Sequence, residues 1–394
     1  MNVKSPTTER GADIYGFTDQ ERALRERARE TADSLNELAR KSDATPGYDA
    51  AWHEAVDRLH KDGYFAMTVP PEYGGTPANL LSLVIVQESL SRVDGGLANS
   101  ISHEACAARA LASASEEIRR RVFAQMLAGS LTCIAITEPD AGSDLGAMAT
   151  TATKNGAGYV INGNKSISSL AGVADIFLIW AKTDPAAGTR GISTFFAPRG
   201  TPGITVGEAR DTLGFRQLPH HDVSFVDVQV PEGARIGDEG QGLAIFAEAL
   251  NVGRLGGGAQ ALGLAVGAYE RALDFAKKRQ AFGQPISKHQ AIQFKLADMF
   301  MAIEAGRALI YSVARFMDAS ELGSREVGTY AAAVKAYESD MAVRVTEEAV
   351  EIFGAQGIWK SNDVERLFRD AKVTQLVDGP NELMRMRIAH ALIR

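Results

Sequence analysis

Four short stretches of this chain carry residues whose types and spacing could do chemistry. In VDGPNEL, Asp378 places a carboxylate in a Gly/Pro turn. A carboxylate can take a proton from carbon if an apolar pocket raises its own pKa and the developing charge on the substrate is stabilised. In TEPDAGSD (137–144), Thr137 and Ser143 offer hydroxyls and N–H donors, while Ala141 and Gly142 let the backbone approach a ligand closely. In RQAFGQPISKHQAIQFKLADM (279–299), Arg279 has the planar fork that grips phosphate oxygens bidentately. The fourth stretch, INGNKSISSLAGVAD (161–175), sets Ser169 a few residues beyond an Asn-Gly pair. Each has a plainer reading that the residues alone leave open. Asp-Gly-Pro-Asn and TEPDAGSD are good turn sequences, Asn-Gly is a hairpin signal, Arg279 suits a solvated helix end and Phe282 a core position.

The elements that must position these residues change texture twice along the chain. Residues 17–130 read as helices, opened by Thr18 and Glu21 as a capping box ahead of a charged amphipathic stretch. From 131 to about 236 come short β-branched or alternating runs such as YVINGNK, IFLIWAK and HDVSFVDVQV, separated by Gly, Pro, Asn and Asp. That pattern predicts a small antiparallel sandwich or barrel. From GLAIFAEALNVGRLGGG onward the pattern is helical again. The layout is helices, strands, helices, with no repeat or flexible linker.

Bulk properties exclude several classes. At 394 residues the chain can bury a large core. A net charge of −7 supplies no basic surface, which argues against a nucleic-acid partner. The apolar runs at 80–86 and 131–137 are too short to span a bilayer, and MNVKSPTTERGADIYG has no apolar core of a secretion signal. Cys106 and Cys133 have no CxxC spacing, and two cysteines in a chain this long suit a reducing, cytoplasmic setting.

In order and spacing, these stretches resemble the acyl-CoA dehydrogenase family, and the resemblance covers nearly the whole chain. TEPDAGSD, INGNKSIS, RQAFG, EIFGAQG (351–357) and RLFRDAKVTQLVDGPNEL carry it. The resemblance implies an α+β fold: an N-terminal helical domain over 1–130, a central antiparallel β-sandwich or barrel over 131–236, and a C-terminal four-helix bundle over 237–394. It implies FAD, with Ile136, Thr137, Ser143, Ile167 and Ser169 at the flavin. Arg279, Phe282, Gln290, Glu351 and Ala355 would meet a neighbour's cofactor, and Pro380 and Glu382 would border the nucleotide site. It also implies α,β-dehydrogenation of an acyl thioester, short, branched or cyclic, on CoA or acyl carrier protein. Electrons would pass to an electron-transfer flavoprotein from a homotetramer built as a dimer of dimers. Asp378 fills the slot of the catalytic glutamate, with Arg254 beside it, and Ser143, Asn251, Arg254 and Gly379 would contact substrate.

The chain departs from the family pattern at several of these positions. Asp378 is one methylene shorter than glutamate. Ile167 stands for an aromatic, Glu351 for Gln, Ala355 for Gly, Pro380 for Thr, and Leu218 and His220 for Ser and Thr. Gly253 occupies the position where some relatives carry the base instead. An aspartate base also occurs in nitroalkane oxidases of the same superfamily, which makes a flavin oxidase, or a repurposed relative such as a desulfinase, the alternative reading.

Overall fold

The computed structural model describes residues 14–45 and 47–393. Five helices come first: α1 Asp19–Asp43, α2 Ala50–Lys61, α3 Leu80–Ser91, α4 Gly95–Leu111 and α5 Glu116–Leu127. The capping box opens α1, with the Glu21 N–H donating to Thr18 Oγ1 and the Thr18 N–H to the Glu21 carboxylate. Eight strands follow: β1 Thr132–Ala135, β2 Thr151–Asn155, β3 Gly158–Ser169, β4 Ile176–Lys182, β5 Ile192–Pro198, β6 Ile204–Ala209, β7 His220–Pro231 and β8 Arg235–Ile236. The chain then returns to helices: α6 Gly242–Lys278, α7 Gln290–Asp318, α8 Arg325–Phe353, α9 Val364–Thr374 and α10 Asn381–Ile393. A short hairpin, β9 Gln280–Ala281 with β10 Gln284–Pro285, separates α6 from α7.

The helix–sheet–helix architecture is the one expected; the pairing of the sheet differs in detail. Its strands run in the order β6-β7-β3-β2-β4-β5-β8, and β1 pairs with β4. The β1–β4 and β2–β4 pairings are parallel, whereas β2–β3, β3–β7, β4–β5, β5–β8 and β6–β7 are antiparallel. Turn chemistry betrays a hairpin locally, but the direction in which β1 meets β4, some forty residues on, is set by tertiary packing.

Two helices dominate the site. At 37 residues, α6 is roughly 55 Å long at 1.5 Å per residue. It is buried without a break from Asn251 to Ala268, and apart from Asn251, Arg254 and Gln260 that stretch is apolar or glycine on every side. α4 is buried too, except for Asn99, His103, Cys106 and Arg109. Those four recur every three or four residues, so they form one stripe, which faces α6 and β1 through Asn99–Gln260, His103–Thr132 and Arg109–Glu248.

Candidate active site

Asp378 lies in the turn between α9 and α10, in a left-handed conformation (φ 55°), followed by Gly379 at φ 94°. For a residue with a Cβ that conformation costs about 1–2 kcal/mol, so surrounding contacts must hold it. Such strain often accompanies function. The carboxylate is aimed at a bare face of α6. A Cβ built on Gly253 would lie 3.5 Å from Asp378 Oδ1, and one built on Gly257 would lie 3.2 Å from Oδ2. These two glycines, one helical turn apart, leave the room the carboxylate occupies. The same built Cβ of Gly253 would lie 2.8 Å from Cys106 Sγ of α4. Turn, helix and α4 stripe therefore converge.

Two cations flank the carboxyl group. Arg254 Nε donates to the Asp378 carbonyl at 3.3 Å and its NH1 to Asn251 Oδ1 at 3.2 Å, while Asn251 Nδ2 donates to the Leu322 carbonyl at 2.9 Å. Lys335 of α8 is buried behind the turn. Its Nζ donates to the carbonyls of Gln375 (3.0 Å) and Gly379 (2.7 Å) and to Asn381 Oδ1 (2.8 Å). Burial pushes the Asp378 carboxyl above its ordinary value, against the opposing pull of Lys335 and then Arg254. Burial also brings Lys335 down to about 8 and Arg254 to about 10. A carboxylate with raised pKa beside fixed positive charge is suited to general-base work near neutral pH.

The second constellation is the sheet wall. Ser166 N–H donates to the Thr137 carbonyl at 2.8 Å and Lys165 Nζ to the Ile136 carbonyl at 3.0 Å, so the segment after β1 runs beside the end of β3. Lys165 also pairs with Glu138 at 2.8 Å, and Glu138 accepts the N–H groups of Ala149 and Thr150, which folds TEPDAGSD back on itself. Ile167 is 61% exposed although it sits within a strand, and it too is left-handed (φ 54°). Ser169 Oγ lies 3.0 Å from His220 Nδ1. Burial, then the neighbouring His221, lowers His220 to about 4, so its ring is neutral near pH 7. On the α4 side, His103 Nε2 lies 3.2 Å from the Thr132 carbonyl and Glu104 accepts the Thr132 N–H at 2.8 Å, which ties α4 to β1. An open isoleucine flanked by the Thr137 and Ser169 hydroxyls fits a ring with an apolar face and polar edges. These residues fit the flavin of FAD.

The predicted residues thus fall in five places. Asp378, Gly379, Arg254 and Asn251 come together; Ile136, Thr137, Ile167 and Ser169 form the sheet wall, with Ser143 exposed on the TEPDAGSD loop. Pro380 and Glu382 lie at the start of α10, beside the turn that carries Asp378. The rest lie elsewhere. Arg279, 22 residues past Gly257, is about 33 Å away along the helix, and Phe282 (96% exposed) and Gln290 accompany it at that remote end. Phe282 is thus no core residue but the tip of a hairpin (φ 52°). Glu351 and Ala355, both exposed, sit at the far end of α8, 16 residues and about 24 Å from Lys335. Sequence reading missed Lys335, Cys106 and Asn381. The available signal for Lys335 was its place, with Glu338, on a helix stripe whose other members are Ala331, Ala342, Val345 and Ala349.

Three family models match the chain in succession: acyl-CoA dehydrogenase N-terminal domain over 18–130, middle domain over 133–228 and C-terminal domain over 240–393. An acyl-CoA dehydrogenase of Bacillus subtilis is 37% identical over 375 residues, covering 94% of this chain and 96% of the relative. The structure of butyryl-CoA dehydrogenase from Megasphaera elsdenii superposes with a TM-score of 0.90 at 34% identity, covering 96% of this chain and 99% of that one. An FAD complex of PigA has a TM-score of 0.87 at 28% identity, covering 95% and 98%.

Proposed function

The chain belongs to the acyl-CoA dehydrogenase family and is an FAD-dependent acyl-CoA dehydrogenase, and on that premise we propose that Asp378 is its catalytic base. The Asp378 carboxylate takes the proton from the carbon alpha to the thioester carbonyl. FAD held at the sheet wall would supply the acceptor for the beta hydrogen, which leaves as hydride to give the α,β-double bond. The Asp378 N–H holds the thioester carbonyl, and Arg254 fixes the turn through the Asp378 carbonyl while its charge favours the ionised base. One observation carries this reading: the carboxylate occupies the space cleared by Gly253 and Gly257, at the meeting point of α4, α6 and the base turn. Asp378→Asn tests it. Anaerobic flavin reduction by a thioester should slow about 100- to 10,000-fold with binding retained; near-normal reduction places the base elsewhere.

A compact acyl group suits the cleft best. A Cβ built on Gly256 would lie 2.1 Å from Ser102 Oγ, so α4 and α6 touch within one turn of the base. Beyond that contact, Asn99 Nδ2 donates to Gln260 at 2.8 Å and Gln260 to Gln87 at 3.2 Å, polar rungs where a long hydrocarbon chain would need apolar ones. Butyryl-CoA dehydrogenase among the structural neighbours supports a short acyl group. Flavin bleaching should be faster with butyryl-CoA than with octanoyl-CoA.

The working enzyme is a homotetramer of two dimers, in which Arg279, Phe282 and Gln290 reach a neighbour's FAD. The exposed apolar side chains Phe282, Phe294, Met301, Ile358 and Trp359 support assembly. Electrons pass to an electron-transfer flavoprotein in the cytoplasm. Among the described residues no helix is long and apolar enough to cross a membrane.

A further inference from the structure

We propose that Lys335 is a positioning residue for the base: it fixes the 375–381 turn and sets a positive charge behind the Asp378 carboxylate. The inference rests on Asp378 being the base. An ammonium group has three donors and no acceptor, and all three of Lys335 are committed. They go to groups three residues before Asp378, one after it and three after it, at 3.0, 2.7 and 2.8 Å. Both limbs of the turn are thereby tied to α8, and two consecutive left-handed residues are held between them.

The ties are themselves braced. Asn381 Nδ2 donates to Ser339 Oγ (2.8 Å) and to Asp340 Oδ1 (2.7 Å), and Gln375 Nε2 donates to the same Asp340 oxygen at 2.7 Å. Arg385 closes the network on Asp340. No bond runs from Lys335 to the Asp378 carboxylate itself, which stays available for a substrate proton. A direct ion pair would have held the base ionised but consumed its lone pairs. The charged groups around Lys335 are Asp378, Arg254 on α6, Asp340 on its own helix and Glu382 on α10. Its neutral form would lose the donor or the charge the turn depends on, so this buried ammonium is costly and has this geometry to show for it.

The test uses the FAD-loaded enzyme with butyryl-CoA in anaerobic stopped flow. A second readout is the carboxyl ¹³C titration of Asp378 in substrate-free protein, identified by its loss in Asp378→Asn. Lys335→Gln keeps two donors and drops the charge. We expect reduction to slow about tenfold or more, butyryl-CoA affinity to hold, and the Asp378 titration to move to higher pH. An unmoved titration or an unslowed reduction overturns the role of Lys335. Should Lys335→Gln fail to fold, Asn381→Ser removes one of the three acceptors and leaves the charge. It should slow reduction with the titration in place, and wild-type reduction there overturns the positioning role. Fast reduction by Asp378→Asn would instead remove the base assignment itself, so the two failures are distinguishable.

Discussion

Gly253 faces Asp378 across 3.5 Å, measured from the point where its Cβ would lie, and from that same point faces Cys106 across 2.8 Å. The absence of a side chain at one position of α6 therefore serves two neighbours at once. Gly253→Ala should cost about 1–3 kcal/mol through overpacking, chiefly against the sulfur. Cys106→Ala should relieve most of that loss, giving a double mutant more stable than the sum of the single effects. Thermal unfolding of the four proteins measures the coupling.

Asp378→Glu lengthens the base by one methylene and aims it further into the space beside Gly253 and Gly257. Because the carboxylate is kept, the variant should stay within about a hundredfold of wild type, far above Asp378→Asn. Its preference should shift among thioesters that differ at the alpha carbon. A stopped-flow panel of straight, branched and cyclic acyl-CoAs reads both effects.

The base also sets a pH profile. Burial raises the Asp378 carboxyl above its ordinary value, against Lys335 and Arg254, and only the ionised form accepts a proton. Flavin reduction should therefore rise with pH through that raised value, until Lys335, brought down to about 8, loses its charge. A profile that falls over this range would contradict the assignment.

Glu338 makes a separate prediction about stability. Both of its carboxyl oxygens are buried without a hydrogen-bond partner among the described residues, and burial, then the charge of Glu88, pushes its pKa well above 4.5. With the folded value above the unfolded one, its contribution is fully present below the unfolded pKa. That contribution is lost as pH rises through the folded value. Glu338→Gln should flatten that decline, seen as a smaller fall in denaturation midpoint as pH rises above the ordinary glutamate value.

The remote hairpin tests assembly. Phe282→Asp places a charge on a side chain that is 96% exposed in the single chain, so the monomer fold should be unharmed. Light scattering should show the tetramer falling to smaller species, with FAD retention falling alongside. An intact tetramer with full FAD content would remove Phe282 from the interface.

Much of this was legible in the residues themselves. Thr18 and Glu21 announced their cap, since both partners lie within one turn. The Gly/Pro chemistry of VDGPNEL marked the turn that carries Asp378. What stayed hidden depends on groups distant in sequence. Cys106, Gly253 and Asp378 are separated by more than a hundred residues at each step, and no local pattern says they meet. Lys335 looks like any helix lysine until the carbonyls of Gln375 and Gly379 are found around it. The parallel β1–β4 pairing was likewise invisible, because the spacing of polar and apolar residues fixes a strand's faces but not its neighbour's direction.

α6 runs unbroken from the glycines under the base to the residue before Arg279. A rod of that kind links the Asp378 turn to the Arg279 tip. In the tetramer we propose, a shift of this helix at one centre would therefore reach the nucleotide of the next.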